Sequence, residues 1–208
     1  MGDDALAALV VTARTGAEPF LLDGEPIGAD LAGFWRWACS DLVNNAMRGV
    51  LAEYIVGLSL GSVSDRTRVE WDACDLVTGV GCRVEVKSAA YIQSWAQKKP
   101  SPIQFNIKPS YGWNAASNTS DTERRRQADV YVFALLAHTD KPTVDPLNLD
   151  QWQFYVLSTE RLNAGVGNRQ TLSLGALLNL RPAHGRFGDL PALVNDAFGR
   201  DHLRGGAE

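Results

Sequence analysis

The amino-acid sequence predicts an α/β fold in which helices flank a mixed central β-sheet. Three observations predict it: a helical stretch over residues 42–60, a turn between short apolar segments within residues 72–87, and the strongly apolar run Ala128–Ala137. The helical stretch repeats apolar residues at three- and four-residue steps, which is typical of a helix with one face in a core. The apolar run is typical of a central strand buried on both faces.

Length and composition favour one intracellular domain. The 208 residues, 45% of them hydrophobic, are enough for one sizeable core. We expect a core over residues 30–180, an N-terminal extension over 1–29 and a C-terminal helix over 181–208. No apolar run reaches the ~20 residues of a membrane span, and the acidic start lacks the basic residues of a signal peptide. The three cysteines form no CxxC pattern, so we expect free thiols, a cytoplasmic protein and no membrane contact.

The remaining elements follow from local patterns along the chain. The expected helices are about Ala5–Val11, Asp30–Cys39, Leu42–Leu60, Thr159–Leu162, Ser173–Leu180 and Leu190–Phe198. The expected strands flank the turn at Thr78–Gly81 and include Ile103–Ile107, Ala128–Ala137 and Trp152–Leu157. Asp41 is the expected N-cap of the long second helix, and Gly61 is its expected end.

The turn at Thr78–Gly81 and its flanking segments predict a β-hairpin that carries charge. Asp75 lies on the first segment, and Glu85 and Lys87 lie on the second. Because side chains alternate along a strand, Glu85 and Lys87 share one face, while the neighbouring valines point to the other. Two carboxylates and an ammonium are costly to bury without partners, and a divalent metal ion with a phosphodiester would supply them.

These residue types suit hydrolysis of a phosphodiester, which needs an attacking water and compensation of phosphoryl charge. Mg²⁺ prefers oxygen ligands and keeps several waters, so one or two carboxylates can hold it. Asp75 and Glu85 are the expected ligands, together with the backbone carbonyl of Val86. Lys87 is expected to orient the water or to stabilise the developing charge.

The same pattern has plainer explanations. An aspartate followed ten residues later by Glu-x-Lys also occurs by chance as a surface ion pair. Glu53, on the long helix, is a further candidate ligand, or else a solvated carboxylate paired with Arg48. A two-carboxylate glycosidase is disfavoured because a lysine accompanies the carboxylates and no aromatic run lies beside them. The sequence has no histidine metal pattern, Gly-x-Ser-x-Gly elbow or phosphate-binding glycine loop.

Positive charge is concentrated around the hairpin. The net charge is −4 for the whole chain, but it is −5 over residues 1–60, +3 over residues 61–126 and −2 over the remainder. A local basic surface attracts phosphate even on an acidic protein. The arginine run is either solvated surface or a phosphate contact. The candidate nucleic-acid contacts are Ser88, Lys98, Lys99, Arg124, Arg125 and Arg126. Trp95 and Trp113 are candidates for stacking on DNA.

Asp75 followed by Glu85-Val86-Lys87 resembles the signature of the PD-(D/E)XK nuclease superfamily, which has the restriction-endonuclease-like fold. The expected order of elements matches the core of that fold. Three stretches also resemble a bacterial family of restriction-endonuclease-like proteins whose activity is not established. The stretches are Phe34–Leu58, Glu85–Lys99 and Gln127–His138. The resemblance covers most of residues 30–180. One departure is Cys74, where the signature has a proline that is commonly absent.

The resemblance implies roles for individual residues. Asp75 and Glu85 are implied as metal-binding carboxylates, Lys87 as the catalytic lysine, Glu53 as the helix carboxylate that completes the site, and Gln93 as a residue near the substrate. We therefore expect a Mg²⁺-dependent DNA nuclease, in which Mn²⁺ can substitute, of the type II restriction type and working as a homodimer. The alternative is a non-catalytic DNA-binding or assembly module that keeps the fold. The intact carboxylates and lysine favour the enzyme.

Overall fold

The computed structural model describes residues 9, 11–63, 67–68, 73–114 and 119–202. The strands are β1 (Pro19–Leu22), β2 (Glu25–Asp30), β3 (Leu76–Val77), β4 (Arg83–Ala90), β5 (Gln104–Asn106), β6 (Ser110–Asn114), β7 (Thr119–Arg125), β8 (Val130–Leu136), β9 (Trp152–Ser158), β10 (Thr171–Ser173) and β11 (Ala183–Gly185). The α-helices are α1 (Leu31–Cys39), α2 (Asn45–Ser59), α3 (Thr159–Val166), α4 (Leu174–Asn179) and α5 (Leu190–His202). In the described part of the chain, no helix combines the length and the apolar content that crossing a lipid bilayer requires.

The central sheet has five strands in the order β11-β9-β8-β4-β3. β4 and β8 are parallel and place Glu85 beside Tyr131, whereas the other neighbouring strands are antiparallel. The predicted α/β class with a mixed sheet is therefore confirmed. β8 lies in the middle, and all its residues are buried, as the apolar run Ala128–Ala137 predicts.

Apolar side chains cover the two faces of this sheet. The first core contains Val84 and Val86 of β4 together with residues of α2 and α5. The second contains Phe133 of β8 together with residues of β5, α3 and α4. β4 thus gives its valines to the first core, as predicted, and its charged residues alternate onto the second face. The three cysteines are free thiols, also as predicted.

The predicted hairpin is present as β3 and β4. Two backbone hydrogen bonds of 2.9 Å close the turn at residues 78–82. Gly81 has a φ of +85°, a left-handed conformation that glycine adopts without steric cost. The first strand is shorter than predicted because residues 73–75 form a bend before β3. Asp72, which the prediction also included, lies outside the described residues.

The long helix begins later than predicted. Asn44 is its N-cap, because its side-chain oxygen accepts a hydrogen bond of 3.0 Å from the N–H of Met47. The expected cap Asp41 is wrong, since its carboxylate instead accepts from the N–H groups of Val43 and Asn44 and closes the preceding turn. Gly61 follows the end of the helix with a φ of +64°, as predicted.

Two small hairpins were not predicted. β1 pairs with β2 in the N-terminal extension, and β6 pairs with β7 in a two-stranded ribbon. Both lie outside the central sheet, so their sequences lack the alternation of a half-buried strand. The predicted strand Ile103–Ile107 is present as the shorter β5, which pairs with β10. Most of the predicted helix Ala5–Val11 lies outside the described residues.

Helix α2 approaches the hairpin closely at Gly57. A Cβ atom on Gly57 would lie 2.7 Å from Cγ2 of Val63 and 3.2 Å from Cδ2 of Leu76. Glu53 lies one helical turn before Gly57 and therefore on the same side of the helix. The absence of a side chain at Gly57 thus brings the Glu53 side of α2 towards the segment that carries Asp75.

Replacement of this glycine tests the packing. In a helix interior, glycine to alanine normally raises the free energy of unfolding by about 0.5–1 kcal/mol. Gly57→Ala should instead lower it by about 1–3 kcal/mol, because the new methyl group overpacks the contact with Val63 and Leu76. Gly49→Ala is the matched control in the same helix, since nothing lies within 4 Å of its Cβ position. Urea denaturation should separate the two variants, and equal stabilities would contradict the packing.

Candidate active site

Asp75, Glu85 and Lys87 meet where β3 begins beside β4. Oδ2 of Asp75 accepts a hydrogen bond of 2.7 Å from the N–H of Val86, and Asp75 directly precedes Leu76, which pairs with Val84 of β4. Nζ of Lys87 donates to Oε1 of Glu85. The Glu85 and Lys87 side chains are 19% and 27% exposed. The structure therefore brings together the three residues that the sequence singled out, at a place that solvent still reaches.

Glu53 is held by a partner that the sequence did not indicate. Nη2 of Arg68 donates to Oε1 of Glu53 over 3.0 Å, and Nε of Arg68 donates to the other carboxylate oxygen. The Glu53 side chain is only 14% exposed. The alternative of a solvated carboxylate paired with Arg48 is therefore wrong, because Glu53 is largely buried and its ion pair is with Arg68.

The surroundings of Asp75 disfavour its charge. Burial, followed by the nearby charges of Glu85 and Glu53, raises the pKa of Asp75 to about 7. The ammonium of Lys87 and the N–H of Val86 act in the opposite direction. Glu85 of β4 and Glu53 of α2 thus each oppose ionisation of Asp75, and a bound cation would relieve this repulsion.

The donors fit a Mg²⁺ site built on two carboxylates. In the parts of the chain that the structure describes, no three His, Cys, Asp or Glu side chains are grouped closely enough to hold a metal ion. Mg²⁺ needs only one or two carboxylates, however, because it keeps several waters. Asp75 and Glu85 would supply two. The carbonyl of Val86 would add a third oxygen on the same side, since the N–H and C=O of a strand residue point the same way.

Arg48 organises a buried polar network behind the site. It is 3% exposed, and it donates to Oγ of Ser88 over 3.2 Å and to Oε1 of Gln93 over 3.3 Å. Burial lowers the pKa of Arg48 to about 10. Gln93 is 5% exposed and also donates to the carbonyl of Ala90 over 3.1 Å. Ser88 and Gln93 thus connect α2 to the end of β4, and their contacts with substrate stay predictions.

The arginine run is not uniformly exposed. Arg126 is 8% exposed and donates to the carbonyl oxygens of Ile107, Gly167 and Arg169. A solvated position is therefore wrong for Arg126, and its burial also disfavours the predicted contact with nucleic acid, because its guanidinium donates to backbone carbonyls before the ribbon and after α3. Arg124 and Arg125 are exposed.

The other basic candidates lie in the segment after β4. Lys98 and Lys99 are exposed there, as is Trp95, which is 52% exposed. Trp113 lies half-buried on β6. These residues can reach solvent, and their contacts with nucleic acid stay predictions.

An open cleft of about 380 Å³ adjoins Glu85 and Lys87. Lys108, Tyr111 and Arg124 line it from the β6–β7 ribbon and the loop before it. Lys108 and Tyr111 were missed as site residues. The sequence signal for them was a lysine followed by an aromatic residue within the basic residues 61–126. Their position beside the cleft becomes visible only in the folded structure.

Comparison with known proteins gives one family. The family model described as Bacteriophage T4 endonuclease IV matches residues 37–174, which is well over half of the chain. The match includes α2, the hairpin, β4, the ribbon and β8, and therefore the whole cluster described above. No curated protein matches the chain.

The raised pKa of Asp75 predicts a pH-dependent stability in the metal-free protein. Because the folded pKa lies above the value of 3.8 for a free aspartate, the native state holds the proton more tightly. The free energy of unfolding should therefore fall as pH rises from about 4 to about 7. Asp75→Asn keeps an oxygen acceptor for Val86 and loses the ionisation. At pH 8 in EDTA it should be more stable than the wild type by a few kcal/mol, on the order of the shift itself.

Urea denaturation of both proteins at pH 5, 6, 7 and 8 measures this difference, which should grow with pH. Parallel curves for the two proteins would show that Asp75 ionises without cost and would contradict the crowding of carboxylates.

Proposed function

The chain belongs to the bacteriophage T4 endonuclease IV family, and we propose that it is a Mg²⁺-dependent endonuclease that hydrolyses DNA phosphodiester bonds. The proposed catalytic residues are Asp75, Glu85 and Lys87, with Glu53 beside them. Family membership supports nuclease activity. The observation that carries the choice of site is the 2.7 Å hydrogen bond that holds Asp75 against β4, between Glu85 and Lys87.

Asp75, Glu85 and the carbonyl of Val86 would hold the metal ion. Bound Mg²⁺ would neutralise charge on the phosphoryl group and lower the pKa of a water molecule. Mn²⁺ would occupy the same oxygen ligands. Glu53 would contribute negative charge from α2, and Arg68 would fix its orientation through the two hydrogen bonds to its carboxylate.

Lys87 would act on the substrate directly. Lys87 lines the cleft and its ammonium is held by Glu85, so the side chain stands where a phosphate would approach the carboxylates. An ammonium has three donors, and those not used by Glu85 can reach a non-bridging phosphate oxygen or the attacking water. The negative charge that grows on the phosphoryl oxygens would then be stabilised by a group already in place.

We assign the site to the PD-(D/E)XK type. The order of elements supports the assignment: α2 carries Glu53, the bend before β3 carries Asp75, β4 carries Glu85 and Lys87, and β8 pairs in parallel with β4. A restriction-type homodimer would place two such sites on one duplex, one for each strand. Product analysis separates this arrangement from a nicking enzyme.

Cleavage of plasmid and labelled oligonucleotide DNA with Mg²⁺, Mn²⁺ or EDTA tests the proposal. We expect cleavage with either metal and none in EDTA. Asp75→Asn, Glu85→Gln and Lys87→Ala should each lower the rate by about 100-fold or more, because each removes a charge at the reacting phosphate. Glu25→Gln, an exposed carboxylate on β2 outside the matched residues, should leave the rate unchanged.

Two results would count against this assignment. DNA binding without cleavage under any of these conditions would support the non-catalytic module. Cleavage that survives both Glu85→Gln and Lys87→Ala would show that the chemistry takes place elsewhere on the chain.

A further inference from the structure

We propose that the cleft beside the catalytic residues is a nucleotide-binding subsite, in which Tyr111 packs against the base of a nucleotide next to the scissile phosphate while Lys108 and Arg124 contact backbone phosphates. The proposal rests on the proposed function, because Glu85 and Lys87 are among the residues that line the cleft. It adds residues of the ribbon that the catalytic chemistry does not use.

The size and position of the cleft suit a nucleotide. Its volume of about 380 Å³ falls within the roughly 300–1,000 Å³ of pockets that bind small molecules. Glu85 and Lys87 line it together with the ribbon residues. A nucleic-acid strand with one phosphate at Lys87 would therefore place the neighbouring nucleotide against the ribbon.

The charge of the cleft selects an anion. Lys87, Lys108 and Arg124 line it, and Glu85 supplies the opposing charge. Positive side chains are therefore in excess in a cleft that also contains the proposed catalytic residues. Lysine and arginine side chains grouped in this way are suited to the phosphates of a nucleic-acid strand.

Tyr111 is placed as a platform rather than as part of a core. It is 50% exposed, and the register of the ribbon pairs it with Arg124. Cζ of Arg124 lies 4.8 Å from the centre of the Tyr111 ring, within the range of a cation–π contact. The arginine thus holds the ring orientation, and the exposed part of the ring is available to stack on a base.

Buried side chains fix the ribbon where it leaves the fold. Gln127 is 5% exposed, donates to the carbonyl of Ser110 over 3.1 Å and accepts from Nε of Arg125 over 3.1 Å. Arg126 donates to the carbonyl of Ile107 over 2.9 Å. The start of β6 and the end of β7 are therefore both anchored. This anchoring lowers the conformational entropy that is lost when a ligand binds Tyr111.

Binding of a fluorescent DNA oligonucleotide, part duplex and part single strand, tests the subsite. The measurement is made in EDTA, so that binding is observed without cleavage. Tyr111→Ala should weaken binding by about tenfold and leave the salt dependence unchanged, whereas Tyr111→Phe should bind like the wild type. Lys108→Ala should weaken binding and also reduce the slope of log K against log salt by about 0.7–0.9. Arg124→Ala should weaken binding and reduce the salt slope as well, because Arg124 both supports the Tyr111 ring and contacts a phosphate.

The matched controls lie outside the cleft. Tyr54→Ala removes a tyrosine that is 51% exposed on α2, and Arg36→Ala removes an arginine whose side chain is 74% exposed on α1. Both should bind DNA like the wild type. Thermal unfolding of every variant confirms that it is folded.

The subsite is overturned if Tyr111→Ala and Lys108→Ala bind like these controls, or if the wild-type protein does not bind the oligonucleotide. The proposed function fails separately. Binding that depends on Tyr111 without any cleavage in Mg²⁺ would overturn the nuclease and keep the subsite. Cleavage that depends on Glu85, together with binding that does not depend on Tyr111, would support the nuclease and overturn the subsite.

Discussion

Three carboxylates are held close together beside the edge strand β3 of the central sheet, and the surrounding fold makes that arrangement possible. Glu53 comes from α2, Asp75 from the bend before β3, and Glu85 from β4, and their mutual influence appears in the pKa of Asp75, which is raised to about 7. Such crowding costs free energy in the absence of a ligand. The fold offsets part of the cost with the N–H of Val86, the ammonium of Lys87 and the guanidinium of Arg68. A divalent cation bound among these carboxylates, as proposed above, would offset the rest.

Positive charge lies next to this negative cluster. Arg68 and Lys87 contact the carboxylates directly, while Lys108 and Arg124 line the adjoining cleft. A metal ion and a polyanion would need opposite surroundings. The carboxylates beside the hairpin and the basic side chains of the adjoining cleft would offer them next to each other. This division explains how a chain with a net charge of −4 can present a local surface suited to nucleic acid.

Local patterns in the sequence predicted the parts that depend on local physics. The alternation around Glu85 and Lys87 predicted which residues of β4 share a face, and the apolar run over β8 predicted a buried central strand. The choice between Asn44 and Asp41 as the helix cap could not be predicted, since both residue types cap well and the preceding turn decides between them. The Arg68–Glu53 pair, the burial of Arg126 and the cleft position of Tyr111 depend on contacts between distant segments, which no periodicity records.

Binding of Mg²⁺, measured by isothermal titration calorimetry at pH 6 in two buffers of different ionisation enthalpy, tests the central claim most directly. If Asp75 is a metal ligand with a raised pKa, the wild-type protein should bind the ion and release about one proton as Asp75 ionises. Asp75→Asn should bind at least tenfold more weakly and release no proton, while Glu25→Gln should match the wild type. Equal Mg²⁺ affinity and equal proton release in the wild type and Asp75→Asn would contradict the account.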